Sequence, residues 1–236
     1  MINYELLQSE AERIGVDLGE YGADRFDSYA ERLVRWNEHV NLTAITEPDD
    51  IVIKHFIDCL YIMKYVAFKK DEKLVDVGTG AGFPGMPLLI ANPDLDVTFV
   101  DSMEKRIGFL RDVLKNIGLT GTRIHERAEV VGKDGEYREK FDYATARAVA
   151  PLNVLCEYCL PLVKVGGLFV SLKGSSGMEE LKAAENAINV LGGEVAKAVE
   201  YQLPNGDGRS IIIIRKISQT PTKYPRKSKK IDTKPL

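Results

Sequence analysis

Leu74-Val75-Asp76-Val77 runs straight into Gly78-Thr79-Gly80-Ala81-Gly82-Phe83-Pro84-Gly85. A short apolar run, broken by alternate glycines and followed by a proline and a helical pattern, describes a buried strand turning sharply into a helix. Such a junction keeps side chains out of the way of a ligand, and the helix start offers N–H groups without intrahelical partners. It commits the chain to an α/β fold with its ligand at the carboxyl edge of the sheet.

The rest of the chain agrees with that class. Residues 6–40 carry apolar side chains at helical steps, interrupted by Gly15, Gly19 and Gly22, and Pro48-Asp49-Asp50 announces a second helical run, Ile51 to Phe68. From Lys73 onward short apolar or β-branched runs at 74–77, 97–100, 123–125, 143–146 and 168–172 alternate with helical patterns. That alternation predicts right-handed crossovers and a doubly wound, mostly parallel sheet. Residues 195–203, the Pro204–Gly208 turn and 211–214 predict a terminal antiparallel hairpin. The expected organisation is a helical segment over 1–70 packed on the core, a ligand-binding domain over 71–218, and a basic tail over 219–236. That tail, rich in Pro, Lys and Thr, is expected to be extended or disordered.

No apolar stretch reaches the roughly 18 residues of a spanning helix, and acids occupy the N-terminus where a secretion signal carries bases, so a cytoplasmic protein is expected. Cys59, Cys156 and Cys159 are an odd set and are read as reduced thiols. The net charge of −3 is unfavourable for nucleic acid, but charge is polarised: 1–31 holds eight acids and two bases, 220–236 six bases and one acid.

Two ligands compete for the glycine loop. A dinucleotide fingerprint wants a small sixth residue, and counting from Gly78 that position is Phe83. The spacing from Asp76 is instead Asp-x-Gly-x-Gly-x-Gly, which resembles the first motif of S-adenosylmethionine methyltransferases of the Rossmann-like type. Asp76 suits a sulfonium or ammonium cation and would repel a phosphate. Asp101, nineteen residues past Gly82, closes the next strand where a ribose acceptor belongs. A nicotinamide site, or a purely structural turn, remains the alternative.

Further blocks carry a more specific resemblance. They are Trp36-Asn37 with Asn41-Leu42-Thr43, His55 to Leu60, Gly85 to Leu88, Val100-Asp101-Ser102 with Lys105-Arg106, Arg127-Ala128-Glu129, Arg147 to Leu152, and Lys173-Gly174. In this order the chain resembles the bacterial ribosomal RNA small-subunit guanine-N7 methyltransferases, the glucose-inhibited division protein B family. The resemblance implies that S-adenosylmethionine is held by Gly78, Phe83, Ala128, Glu129 and Arg147; Asp76, Gly80 and Asp101 join them from the residue argument. It also implies small-subunit ribosomal RNA, naked or assembled, as partner, and a monomer without membrane attachment. Cys59 stands where the family usually has Ser, and the tail after Tyr224-Pro225-Arg226-Lys227 lacks the usual Gly and Pro.

Guanine N7 has a lone pair and no proton, so no general base or nucleophile is expected, and Arg147 is the best candidate for aligning the base. The 147–151 segment is not the Asn/Asp-Pro-Pro-aromatic signature of enzymes acting on exocyclic amines. Cys156 and Cys159 read as small core residues on one helix face, and no metal site is expected. His55 and Asp58, one turn apart, are read equally as RNA contacts or as packing groups; Lys173 is a weaker candidate for a phosphate or base contact. Two rival readings stand: a methyltransferase acting on a small molecule or a protein, and a ribosome-assembly protein using the fold as scaffold.

Overall fold

A computed structural model describes all 236 residues. Seven strands form one sheet: β1 (Lys73–Val77), β2 (Asp96–Asp101), β3 (Thr122–His125), β4 (Phe141–Arg147), β5 (Val163–Lys173), β6 (Gly193–Gln202) and β7 (Gly208–Lys216). Their order is β3-β2-β1-β4-β5-β7-β6. The first five are parallel, and β7 lies antiparallel to both β5 and β6. The strand order reverses between β1 and β4, so their carboxyl ends open a crevice there.

Successive residues of a strand face opposite sides, and here both sides are buried. Leu74, Ile211 and Ile213 enter one core, Val75, Ile212 and Ile214 the other. The first core is the larger, 40 buried residues against 22, because the N-terminal helices add to it. Those helices are α1 (Tyr4–Arg13), whose first turn is capped by the Asn3 side chain, and α2 (Gly22–Asn37), which buries Phe26, Tyr29, Ala30 and Leu33. Residues 1–70 therefore share a core with the sheet. No helix is long and apolar enough to cross a membrane.

The expected helix over 51–68 is four short pieces: α3 (Pro48–Ile51), a π turn (Val52–Ile57), α4 (Asp58–Leu60) and a 3-10 turn (Tyr61–Lys64). The π turn carries Lys54 and His55, which together with Asp58 meet Arg147 at the end of β4. After it, α5 (Gly85–Ala91), α6 (Glu104–Ile117), α7 (Ala128–Val131), α8 (Leu152–Cys159), α9 (Gly177–Ala183) and α10 (Glu185–Val190) follow the strands. Cys156 and Cys159 lie on α8 as buried free thiols in the second core.

Residues 219–236, expected to be extended, pack instead. The carboxylate of Glu157, fully buried on α8, accepts from the Arg226 backbone N and from Nε and Nη2 of its guanidinium at 2.6–3.0 Å. Tyr224 is buried, and α11 (Ser228–Thr233) buries Ile231. Composition hid this because docking rests on a few specific contacts, chief among them the Arg226–Glu157 pair and buried Tyr224 and Ile231, with the lysines left outside.

Candidate functional site

The loop after β1 turns through left-handed backbone at Gly78, Gly80 and Gly82. Gly78 is confined twice over: its φ is +64°, and a Cβ there would come 2.7 Å from Cγ2 of Val149. Beneath the loop, Asp76 has no exposure. Its Oδ2 accepts from Thr79 Oγ1 (2.6 Å) and Gly85 N (3.1 Å), and its Oδ1 from Thr145 Oγ1 (3.0 Å). Burial raises its pKa to about 6, against the pull of those three donors. Asp76 thus ties β1, the loop and β4 together rather than facing a cation.

Above the loop lies a cavity of about 420 Å³, within the range of small-molecule sites. Gly78, Asp101, Ala128 and Glu129 line it, with apolar walls from Val77, Val100 and Val149. Asp101 Oδ2 accepts from Gly80 N at 2.9 Å and pairs with Arg106 at 3.3 Å, while Oδ1 accepts from Met103 N. Glu129 pairs with Arg127 at 3.0 Å. The lining carries four carboxylates, from Asp101, Glu126, Glu129 and Asp232, against two guanidinium groups, both paired within the site. A dinucleotide pyrophosphate would meet an acidic wall, whereas a ligand with amino and sulfonium groups suits this donor set.

Arg147 closes β4 but turns its side chain away from this cavity. It donates to Lys54 O (3.0 Å) and to Asp58 Oδ2 (3.1 Å), and its Nη2 reaches Nδ1 of His55 at 2.9 Å. Its guanidinium carbon lies 4.7 Å from the centre of the Phe83 ring, on which His55 also stacks at 4.4 Å. Burial, then the Arg147 charge, lowers the His55 pKa to about 3. Neutral His55 therefore accepts at Nδ1 and donates from Nε2 to Thr43 Oγ1, 2.8 Å away. Asp58 Oδ1 accepts from Tyr201 OH at 2.8 Å, with Arg209 3.6 Å away.

This cluster is one wall of a second cavity of about 600 Å³, bounded by Lys54, His55, Asp58, Arg147, Lys173 and Arg209. Lys173 donates to Ala150 O (2.7 Å) and pairs with Glu180, whose carboxylate also accepts from Leu152 N. The 148–150 segment borders both cavities, and Ala148 takes a left-handed backbone, φ 56°, rare for a residue with a Cβ.

Of the residues singled out from sequence, Gly78, Asp101, Ala128 and Glu129 meet around the first cavity. Asp76, Gly80 and Phe83 do not line it: Asp76 and Gly80 bond within the loop and its neighbouring strands, and Phe83 plugs the space between the N-terminal helices and Arg147. Arg147 lines the second. Sequence reasoning missed Tyr158 and Asp232 around the first cavity, Arg209 around the second and Tyr201 on Asp58, and it gave no role to Val149 or Lys54, which lie close in sequence to Arg147 and His55. Nothing local marks Tyr158, Asp232, Arg209 or Tyr201, since each is brought in from a separate element.

Residues 23–209 match the family described as rRNA small subunit methyltransferase G. Proteins named ribosomal RNA small subunit methyltransferase G from Alkaliphilus oremlandii and Leuconostoc mesenteroides are similar to the chain. The first is 47% identical, covering 98% of each chain, and the second 49% identical, covering 94% of each. Among solved structures, TrmN from Thermus thermophilus superposes with a TM-score of 0.52 at 17% identity over 70% of this chain and 53% of that one. Pyrococcus horikoshii TYW2 in complex with MeSAdo gives 0.51 at 14% identity over 63% and 58%. These two share the fold alone, and the chain spans little more than half their length.

Proposed function

Since the chain belongs to the ribosomal RNA small subunit methyltransferase G family, we propose that it transfers a methyl group from S-adenosylmethionine to N7 of a guanine in 16S ribosomal RNA. The carrying observation is the pair of cavities meeting at 148–150, one acidic and sized for the cofactor, the other with a basic rim. The first cavity holds the cofactor, with Asp101 and Glu129 as acceptors, Ala128 and Val149 against its apolar parts, and Gly78 allowing close approach of the backbone. When bound, S-adenosylmethionine supplies an electrophilic methyl group on a sulfonium.

The second cavity receives the target base, unstacked from its loop as chemistry on a base requires. Lys54, Lys173 and Arg209 at its rim meet phosphate or base edges. Arg147 acts through position: it joins the π turn, Phe83 and the end of β4, and so sets the 148–150 border across which the base faces the methyl group. N7 needs no deprotonation, and the site is built accordingly. Both ring nitrogens of His55 and both oxygens of Asp58 are already bonded to protein groups, leaving them to orient rather than to take a proton. A ribosomal RNA substrate suits a protein acting in the cytoplasm, and we take the single chain as the acting unit.

The test is transfer of labelled methyl to small ribosomal subunits lacking the modification, with naked RNA and protein extract in parallel, followed by nucleoside analysis. The expected product is 7-methylguanosine. Label in protein or small molecules, or no transfer despite cofactor binding, overturns the RNA assignment.

A further inference from the structure

The cofactor cavity is not closed by the methyltransferase elements alone. Asp232, on α11 near the C-terminus, lines it beside Tyr158 of α8. The Tyr158 hydroxyl donates to Asp232 Oδ1 at 3.1 Å, and burial together with that carboxylate raises the phenol's pKa. A second bridge joins α11 to the start of α7: Arg127 donates from Nη2 to Ser228 Oγ at 2.9 Å and from Nε to Glu129 at 3.0 Å. The chain reaches this position because Arg226 is locked on buried Glu157 and Ile231 is fully covered. Position 232 thus lies beside Glu129 although 103 residues separate them in sequence.

We propose that residues 227–236 form a strap that completes the cofactor site, with the Asp232 carboxylate, held in place by the Tyr158 hydroxyl, presenting a hydrogen-bond acceptor to the amino-bearing purine end of the ligand. The inference rests on the cofactor reading above. An exocyclic amine donates, and a carboxylate accepts. Binding and strap docking are then linked, each favouring the other by the same factor. The strap also carries exposed Lys227, Lys229 and Lys230, whose peptide bonds are open to trypsin when it lifts.

The experiment uses the full chain with S-adenosylhomocysteine as probe. Calorimetric Kd is measured for the wild type, for Asp232→Ala, and for a chain ending at Arg226, alongside trypsin cleavage within 227–234 followed by mass spectrometry. The expected result is a Kd raised about tenfold by truncation and several-fold by Asp232→Ala, and cleavage of the wild-type strap slowed several-fold by the ligand. Asp232→Ala keeps Arg226, Ile231 and the fold, so it decides the matter if the truncated chain is unstable. Unchanged Kd in Asp232→Ala, or cleavage indifferent to ligand, overturns the strap. No binding by the wild type overturns it together with the cofactor reading, a distinct outcome.

Discussion

Arg147 and Phe83 meet face on, the guanidinium carbon 4.7 Å from the ring centre, although one closes β4 and the other ends the glycine loop. This contact couples the floor of the acceptor cavity to the loop beneath the cofactor cavity. Lysine carries the same charge but has no planar fork to serve Lys54 O, Asp58 and His55 together. Arg147→Lys is expected to lower methyl transfer about 100-fold while changing the Kd for S-adenosylhomocysteine by less than about fivefold. Single-turnover rates beside calorimetry check it; a purely cofactor-binding role would move both alike.

Gly78→Ala places a Cβ 2.7 Å from Val149 Cγ2 and puts alanine at φ +64°. The variant should lose cofactor affinity about tenfold. Val149→Ala in the same chain should recover only part of it, because the steric fraction is removed and the backbone strain, about 1 kcal/mol, stays. A double-mutant cycle read by calorimetry gives the split.

His55 is held neutral, its pKa lowered to about 3 by burial and by Arg147, whereas the unfolded chain takes up the proton near its ordinary value of 6.5. The unfolded state therefore binds more protons between those values, and the His55 contribution to stability falls as pH falls from 6.5 towards about 3. Asp76 works oppositely: with its pKa raised to about 6 from 3.8, it favours the folded state more as pH falls through that interval. Comparing denaturant midpoints of wild type and His55→Gln across pH 4 to 7.5, about the histidine range, cancels the Asp76 part. The wild type's advantage over the variant should shrink as pH drops.

Arg226→Ala strands the buried Glu157 carboxylate, and loss of one partner of a buried pair costs about 3–5 kcal/mol. For a chain of this size that is a Tm drop of roughly 10 °C by calorimetry. Arg226→Met with Glu157→Gln should regain most of it. A drop below about 2 °C for the single variant would show that the tail contributes little.

Lys54→Gln and Arg209→Gln remove rim charges of the acceptor cavity without touching the cofactor cavity. Each is expected to weaken RNA binding several-fold and to flatten its dependence on salt by about one ion per residue, leaving the Kd for S-adenosylhomocysteine unchanged. Filter binding across a salt series measures this.

The sheet and its hairpin were legible because buried strands announce themselves in short apolar runs and the glycine loop fixes their polarity. Within the site, Gly78, Ala128 and Glu129 are expected from the family resemblance and Asp101 from its place at the end of a strand, and all four line the first cavity. Asp76 misled: an acid beside a ligand loop reads as a ligand group, but only the fold shows Thr79, Gly85 and Thr145 saturating it. Arg209, Tyr201 and Asp232 were invisible because they reach the site through long-range packing, with no spacing rule to expose them. The docked tail was hidden for the same reason, Glu157 lying 69 residues from Arg226.

Strand β7 is wedged between β5 and β6, and this has a bearing on the order in which the protein matures. During synthesis the first five parallel strands emerge before residue 208, yet β6 has no partner in the sheet until β7 arrives. Arg209 stands on β7 and reaches the second cavity only once that strand has paired with β5. A chain whose hairpin has not docked on β5 therefore lacks the Arg209 wall of the second cavity, so closing the sheet and completing that cavity are one event.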